Sequence, residues 1–114
     1  MRDSLIALAI ESWRLSRTFK SLLEKSDITE QRRYSGKILW FNKRLEETLT
    51  ACELQLVELE DHKFDTGMAA KAINLQDFEN HENLIVDQTL EPVIMGAEGV
   101  IKRGTVTLRK QENE

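Results

Sequence analysis

The sequence predicts an α+β protein: a two-helix hairpin that forms a dimeric four-helix bundle, followed by a small C-terminal antiparallel β wing. Three observations lead there. The sole proline is Pro92 and no glycine precedes Gly36, so residues 4–62 are almost free of strong breakers. Apolar residues recur there at helical spacing. After Phe64 the pattern changes to short β-rich runs separated by glycines.

The first helix is expected over about 4–25. Leu5, Leu8, Leu15, Phe19 and Leu22 recur at spacings of three, seven, four and three, which keeps them near one face, and Ile6 and Trp13 widen it. The break falls at Ser26-Asp27. Asp27 followed by Glu30 fits a capping box, in which the aspartate accepts from a first-turn backbone N–H and the glutamate reaches back.

A second helix is expected over about 28–62. Tyr34, Ile38, Phe41, Leu45, Leu49, Cys52, Leu56 and Leu59 step by fours and threes, a long packing stripe with little supercoil. Such a helix of about 35 residues would span roughly 50 Å, against some 33 Å for its partner. One hairpin of that shape buries little core. A second copy packed across the stripe would supply the missing surface, so those eight residues are the expected homodimer interface. Cys52 sits within the stripe and reads as a small buried hydrophobe. The helical domain is thus placed at 1–63 and the wing at 64–114.

In the wing, Asp65-Thr66-Gly67 signals a turn, and 68–78 reads as a loose extended stretch. Leu84-Ile85-Val86 and Val93-Ile94-Met95 are β-rich, and Thr105 to Leu108 alternates with period two. Gly96 and Gly99 bracket a reversal, so 84–95 and 100–109 should pair antiparallel in a hairpin spanning about 84–109, with a disordered tail beyond. Pro92 should mark an edge or bulge, and Gly104 another bulge.

Function classes narrow quickly. A net charge of −4 and a pI near 5.3 argue against nucleic acid, which favours concentrated basic surface. The basic runs Arg32-Arg33, Lys43-Arg44 and Lys102-Arg103 are short and read as solvated faces. A single cysteine rules out an intrachain disulfide and suits a reducing compartment. Leu5 to Ile10 is too short an apolar run for a membrane span, so a cytoplasmic protein with no membrane partner is expected. Gly96-Ala97-Glu98-Gly99 could suggest phosphate binding. Its glycines lie between strands rather than before a helix, and Glu98 would repel an anion. His62 and His81 are not at metal-ligand spacing, and no phosphate loop or nucleophile elbow occurs. The chain therefore reads as a non-enzyme without cofactor or metal.

Gly99-Val100-Ile101-Lys102-Arg103-Gly104-Thr105-Val106-Thr107-Leu108-Arg109-Lys110 resembles the closing strands of the GrpE family, which typically read Gly-Arg-Val-Leu-Arg-Pro-Ala-x-Val-x-Val-x-Lys. Phe78-Glu79-Asn80-His81-Glu82 resembles a decayed form of that family's Phe-Asp-Pro…His-Glu segment. The two helices are similar to the pair each GrpE subunit gives to a dimeric bundle. The resemblance covers about residues 4–110 and is to a shortened, divergent member: the long stalk helix is missing, the wing is reduced, and Gly104 stands where a proline is usual. It implies a nucleotide exchange factor that binds the ATPase domain of a DnaK-type chaperone and promotes ADP release by opening its lobes. It also implies that the wing grips the partner. By position in the hairpin, Pro92, Ile94, Met95, Ile101, Arg103 and Val106 are the candidate contacts. The alternative is a non-catalytic dimeric adaptor that docks a partner through the same hairpin.

Overall fold

The computed structural model describes residues 1–112, so the end of the expected disordered tail, 113–114, lies outside the described residues. The chain is α+β and divides into two compact units, Met1–Glu53 and Leu54–Glu114.

The first unit is a two-helix hairpin of α1 (Arg2–Glu24) and α2 (Ile28–Ala51). Asp27 caps α2 as its sequence position suggested, its carboxylate accepting from the Glu30 N–H at 2.9 Å. The connection is tied further by the Ser26 hydroxyl donating to the Leu22 carbonyl and by the Gln31 side chain donating to the Ser26 carbonyl, each at 2.9 Å. The two helices meet through Phe19 and Tyr34, edge to face at 6.5 Å between centroids, and through a hydrogen bond from Ser16 to Asn42. On α1 the buried residues are Ile6, Ala9, Ile10, Trp13 and Ser16. The expected stripe is therefore rotated. Leu5 and Phe19 are half-buried, whereas Leu8, Leu15 and Leu22 remain 65%, 67% and 63% exposed.

The second helix does not reach residue 62. It ends at Ala51, with Cys52 as its C-cap and Glu53 in the left-handed region at φ 59°. The N–H groups of Cys52 and Glu53 donate back to Leu49 and Thr50. The usual C-terminal signal, a glycine in that left-handed position, is missing. A glutamate takes its place, and the stripe's spacing runs straight through the break. What stops the helix is a long-range pairing: Gln55–Val57 form strand β1, antiparallel to β4 (Val93–Gly96), with Leu56 opposite Ile94. Residues 54–62 thus belong to the second unit.

That unit holds two three-stranded sheets. One is antiparallel, in the order β1-β4-β5, with β5 at Gly99–Lys102. The other has the order β2-β6-β3, where β2 is Ala70–Ala72, β3 is Leu84–Glu91 and β6 is Gly104–Lys110. The expected pairing of 84–95 with 100–109 occurs in two successive blocks, β3 with β6 and β4 with β5, that lie in different sheets. The stretch 68–78, expected as loose, contributes β2 in parallel with β6, then a short 3-10 turn, Leu75–Asp77.

Central β6 organises the core. Its Val106 and Leu108 pack with Leu59, Leu84, Val86 and Val93, while Thr105, Thr107 and Arg109 point to the other face. Side chains extend the ladder where the backbone cannot. The Asn74 amide accepts from the Leu108 N–H at 2.8 Å and donates to the Leu108 carbonyl at 3.0 Å. Buried Thr89 accepts from the Leu59 N–H at 3.0 Å.

The bulges lie elsewhere than expected. Leu90 and Asp87 are the extra residues in β3, and Ile101 is the extra residue in β5. Gly104 is instead a close-approach glycine. A Cβ there would sit 2.7 Å from the Glu91 carbonyl oxygen and 3.2 Å from the Pro92 carbonyl carbon. Pro92, without an N–H to offer, lies buried where the chain passes from β3 to β4.

Candidate interaction surface

The candidate contact surface expected in the second unit is the β4–β5 hairpin. Gly96 pairs with Gly99 across a turn of Ala97 and Glu98. Gly99 has φ 128°, which side-chain-bearing residues rarely adopt, so this glycine is required by geometry rather than by any ligand. β5 is an edge strand of its sheet. Because Ile101 is an extra residue, strict alternation fails there and two neighbouring apolar side chains both face solvent: Val100 is 47% exposed and Ile101 39%. Lys102 pairs with Glu91 at 3.3 Å beside them.

The six residues expected to touch a partner separate into two groups. Pro92, Ile94 and Val106 are buried, Ile94 at 1% and Val106 at 0% exposure. They cannot form a contact surface, which corrects the expectation for those three. The reason differs by residue. Val106 lies on the central strand of its sheet and faces the core, and Pro92 fills the β3–β4 corner. Met95 is half-buried, while Ile101 and Arg103 lie at the surface. Arg103 also braces the fold, because its guanidinium donates to the carbonyls of Met68 and Ala70 at 3.3 and 3.2 Å and so holds the start of β2. Val100 was missed by sequence reasoning, since a period of two assigns one of each adjacent apolar pair to the interior. Only the bulge reveals otherwise.

The eight residues expected at a dimer interface divide similarly. Tyr34, Ile38 and Leu45 are half-buried on α2, Phe41 is 37% exposed and Leu49 is buried. Cys52 is exposed at the helix end rather than buried in a stripe. Leu56 and Leu59 are not on a helix at all: Leu56 lies in β1 and Leu59 in the core of the β unit. On α1 the heptad Leu8, Leu15 and Leu22 is left to solvent, with half-buried Leu5 before it and half-buried Ser12 and Phe19 between its steps. Together these six repeat every three and four residues, the spacing of a helix–helix seam.

His81 lies with Lys63, Phe64, Asp65 and Thr66 around an open depression of about 510 Å³. The Asp65 carboxylate there is engaged in its own turn, accepting from the Gly67 N–H at 2.9 Å. Among the described residues, no three His, Cys, Asp or Glu side chains are grouped so as to hold a metal ion, and no helix is long and apolar enough to cross a membrane. No protein-family model, curated protein or solved structure matches the chain.

Proposed function

We propose that the chain is a dimeric, GrpE-like co-chaperone that binds the ATPase domain of a DnaK-type chaperone through its β unit and promotes ADP release. The observation that carries the reading is a succession: a helical hairpin with an unfilled heptad seam leads directly into a small β unit closed by the run Gly99 to Lys110.

The homodimer forms by packing two hairpins across the line Leu8, Leu15 and Leu22, together with half-buried Tyr34, Ile38 and Leu45 and exposed Phe41. Leu56 and Leu59 take no part in it. Partner contact falls on the β4–β5 hairpin, through Val100, Ile101, Lys102 and the accessible parts of Met95 and Arg103. Exchange then follows from differential affinity: a protein that binds the open lobe arrangement of the ATPase more tightly than the closed one shifts the equilibrium toward nucleotide loss.

The test is release of a fluorescent ADP analogue from a panel of DnaK-type ATPase domains, with and without the full chain. Accelerated release from one of them is expected, and Ile101→Glu, at an exposed bulge, should reduce it at least tenfold while leaving the fold intact. Binding without acceleration would leave the adaptor reading, in which the same hairpin docks a partner and moves no nucleotide.

A further inference from the structure

The outer face of α2 presents a second surface, independent of the exchange reading. From Gln31 to Leu45 the chain carries five basic residues (Arg32, Arg33, Lys37, Lys43 and Arg44) and no acidic one, within a protein whose net charge is −4. All five are exposed. Among them lie Leu39 at 69% and Trp40 at 65% exposure, the most exposed large apolar pair on this helix. The Arg44 guanidinium lies 6.0 Å from the Trp40 ring centroid, so a cation is already held beside the indole.

Gly36 completes the face. It sits three or four residues from Arg32, Arg33, Leu39 and Trp40, and these are its neighbours on the helix surface. A glycine inside an exposed helix is unfavourable relative to alanine. Nothing among the described residues calls for one here: a Cβ at Gly36 would meet none of their atoms within 4 Å, and its φ is not positive. The absence of a side chain leaves a notch between two arginines and two apolar side chains. Close approach by something outside the chain would account for it.

We propose that this face of α2 docks an acidic amphipathic segment of a protein partner. An apolar side chain of that segment seats over Gly36 against Leu39 and Trp40, and its carboxylates meet the surrounding Lys and Arg side chains. Tryptophan and arginine together are the residue types that dominate such contacts. A bilayer fits the face less well, because insertion requires an apolar stripe along the helix and this patch offers two large apolar side chains. A fluid surface also has no use for a notch. A single-stranded nucleic acid would call for several aromatic platforms along a basic groove, and one indole is present.

The test uses the full chain as bait against a random 16-residue peptide library displayed on phage. Enriched peptides should carry Asp or Glu three or four residues from Leu, Ile or Phe. A synthetic copy of the most enriched one should blue-shift Trp40 emission, followed in the Trp13→Phe background so that Trp40 is the only indole. Affinity should fall at least tenfold in Trp40→Ala, in Lys43→Glu/Arg44→Glu and in Gly36→Leu, and should weaken as salt is raised. Lys71→Glu, in the other unit, should leave it unchanged. The proposal is overturned if no peptide is enriched, if enriched peptides are basic or lack apolar residues, or if Gly36→Leu binds as tightly as the wild type. It is equally overturned if phosphatidylserine vesicles or a dT20 oligonucleotide blue-shift Trp40 more than the selected peptide does.

Discussion

The two threonines Thr89 and Thr107 lie on paired strands of one sheet, and replacing each by valine should move stability in opposite directions. The substitution keeps the β-branched shape and strand preference, so the hydroxyl is the main change. The Thr89 Oγ1 accepts from the Leu59 N–H at 3.0 Å, and both residues are buried, at 4% and 8% exposure. Valine there leaves that N–H without an acceptor, at a cost of about 1–3 kcal/mol. The Thr107 Oγ1 is also buried, yet has no hydrogen-bond partner among the described residues. Valine at 107 removes a desolvated hydroxyl and should stabilise by up to about 1 kcal/mol. The two variants should therefore differ by roughly 1–4 kcal/mol at equal composition.

The assay has to report on the right unit. Trp13, Trp40 and Tyr34 all lie in the helical hairpin, so intrinsic fluorescence would follow the wrong one. Urea unfolding by far-UV circular dichroism, combined with amide hydrogen exchange by NMR, follows the β unit. Thr89→Val should lower the midpoint and remove most of the extra protection of the Leu59 amide. Thr107→Val should raise the midpoint and leave that amide protected. Wild-type stability in Thr89→Val with Leu59 still protected, or a loss of more than about 1 kcal/mol in Thr107→Val, would refute the assignment of these two hydroxyls.

Three further outcomes are expected. Gly104→Ala should destabilise the β unit by about 1–3 kcal/mol, because the new methyl meets backbone at the β3–β4 corner, and a small change in the urea midpoint would count against that contact. Asn74→Ala should cost about 2–3 kcal/mol by freeing both backbone groups of Leu108, and exchange of the Leu108 amide is its direct reporter. Leu15→Asp changes a residue that is 67% exposed in the single chain, so the fold should survive while the dimer dissociates. Sedimentation showing the same association state for wild type and variant would remove the α1 seam from the interface.

Some features were readable from the chain because their causes are local. The cap at Asp27 needs only a carboxylate three residues before an N–H, and both lie within one helical turn. The break at Ser26-Asp27, the reversal between Gly96 and Gly99, and the antiparallel pairing of the segments around it follow from neighbouring residues for the same reason. The α+β class follows from the change of period near Phe64.

Other features depended on residues far apart. The spacing of Leu49, Cys52, Leu56 and Leu59 is helical on paper, but Leu56 pairs with Ile94, and the helix yields to a strand whose partner lies 38 residues away. Leu54, Leu56 and the buried Leu59 fit a strand period and a helix period about equally over so short a run. The choice belongs to the sheet. The same holds for the contact surface. Alternation could not tell Ile94 from Ile101, since one sits on a middle strand and the other on a bulged edge. Composition and spacing thus determined the class of this protein, its hairpin and its turns, where the deciding interactions span a few residues. Strand order, bulge position and the rotation of α1 decided which apolar residues stayed outside, and those are set only when distant segments compete for the same core.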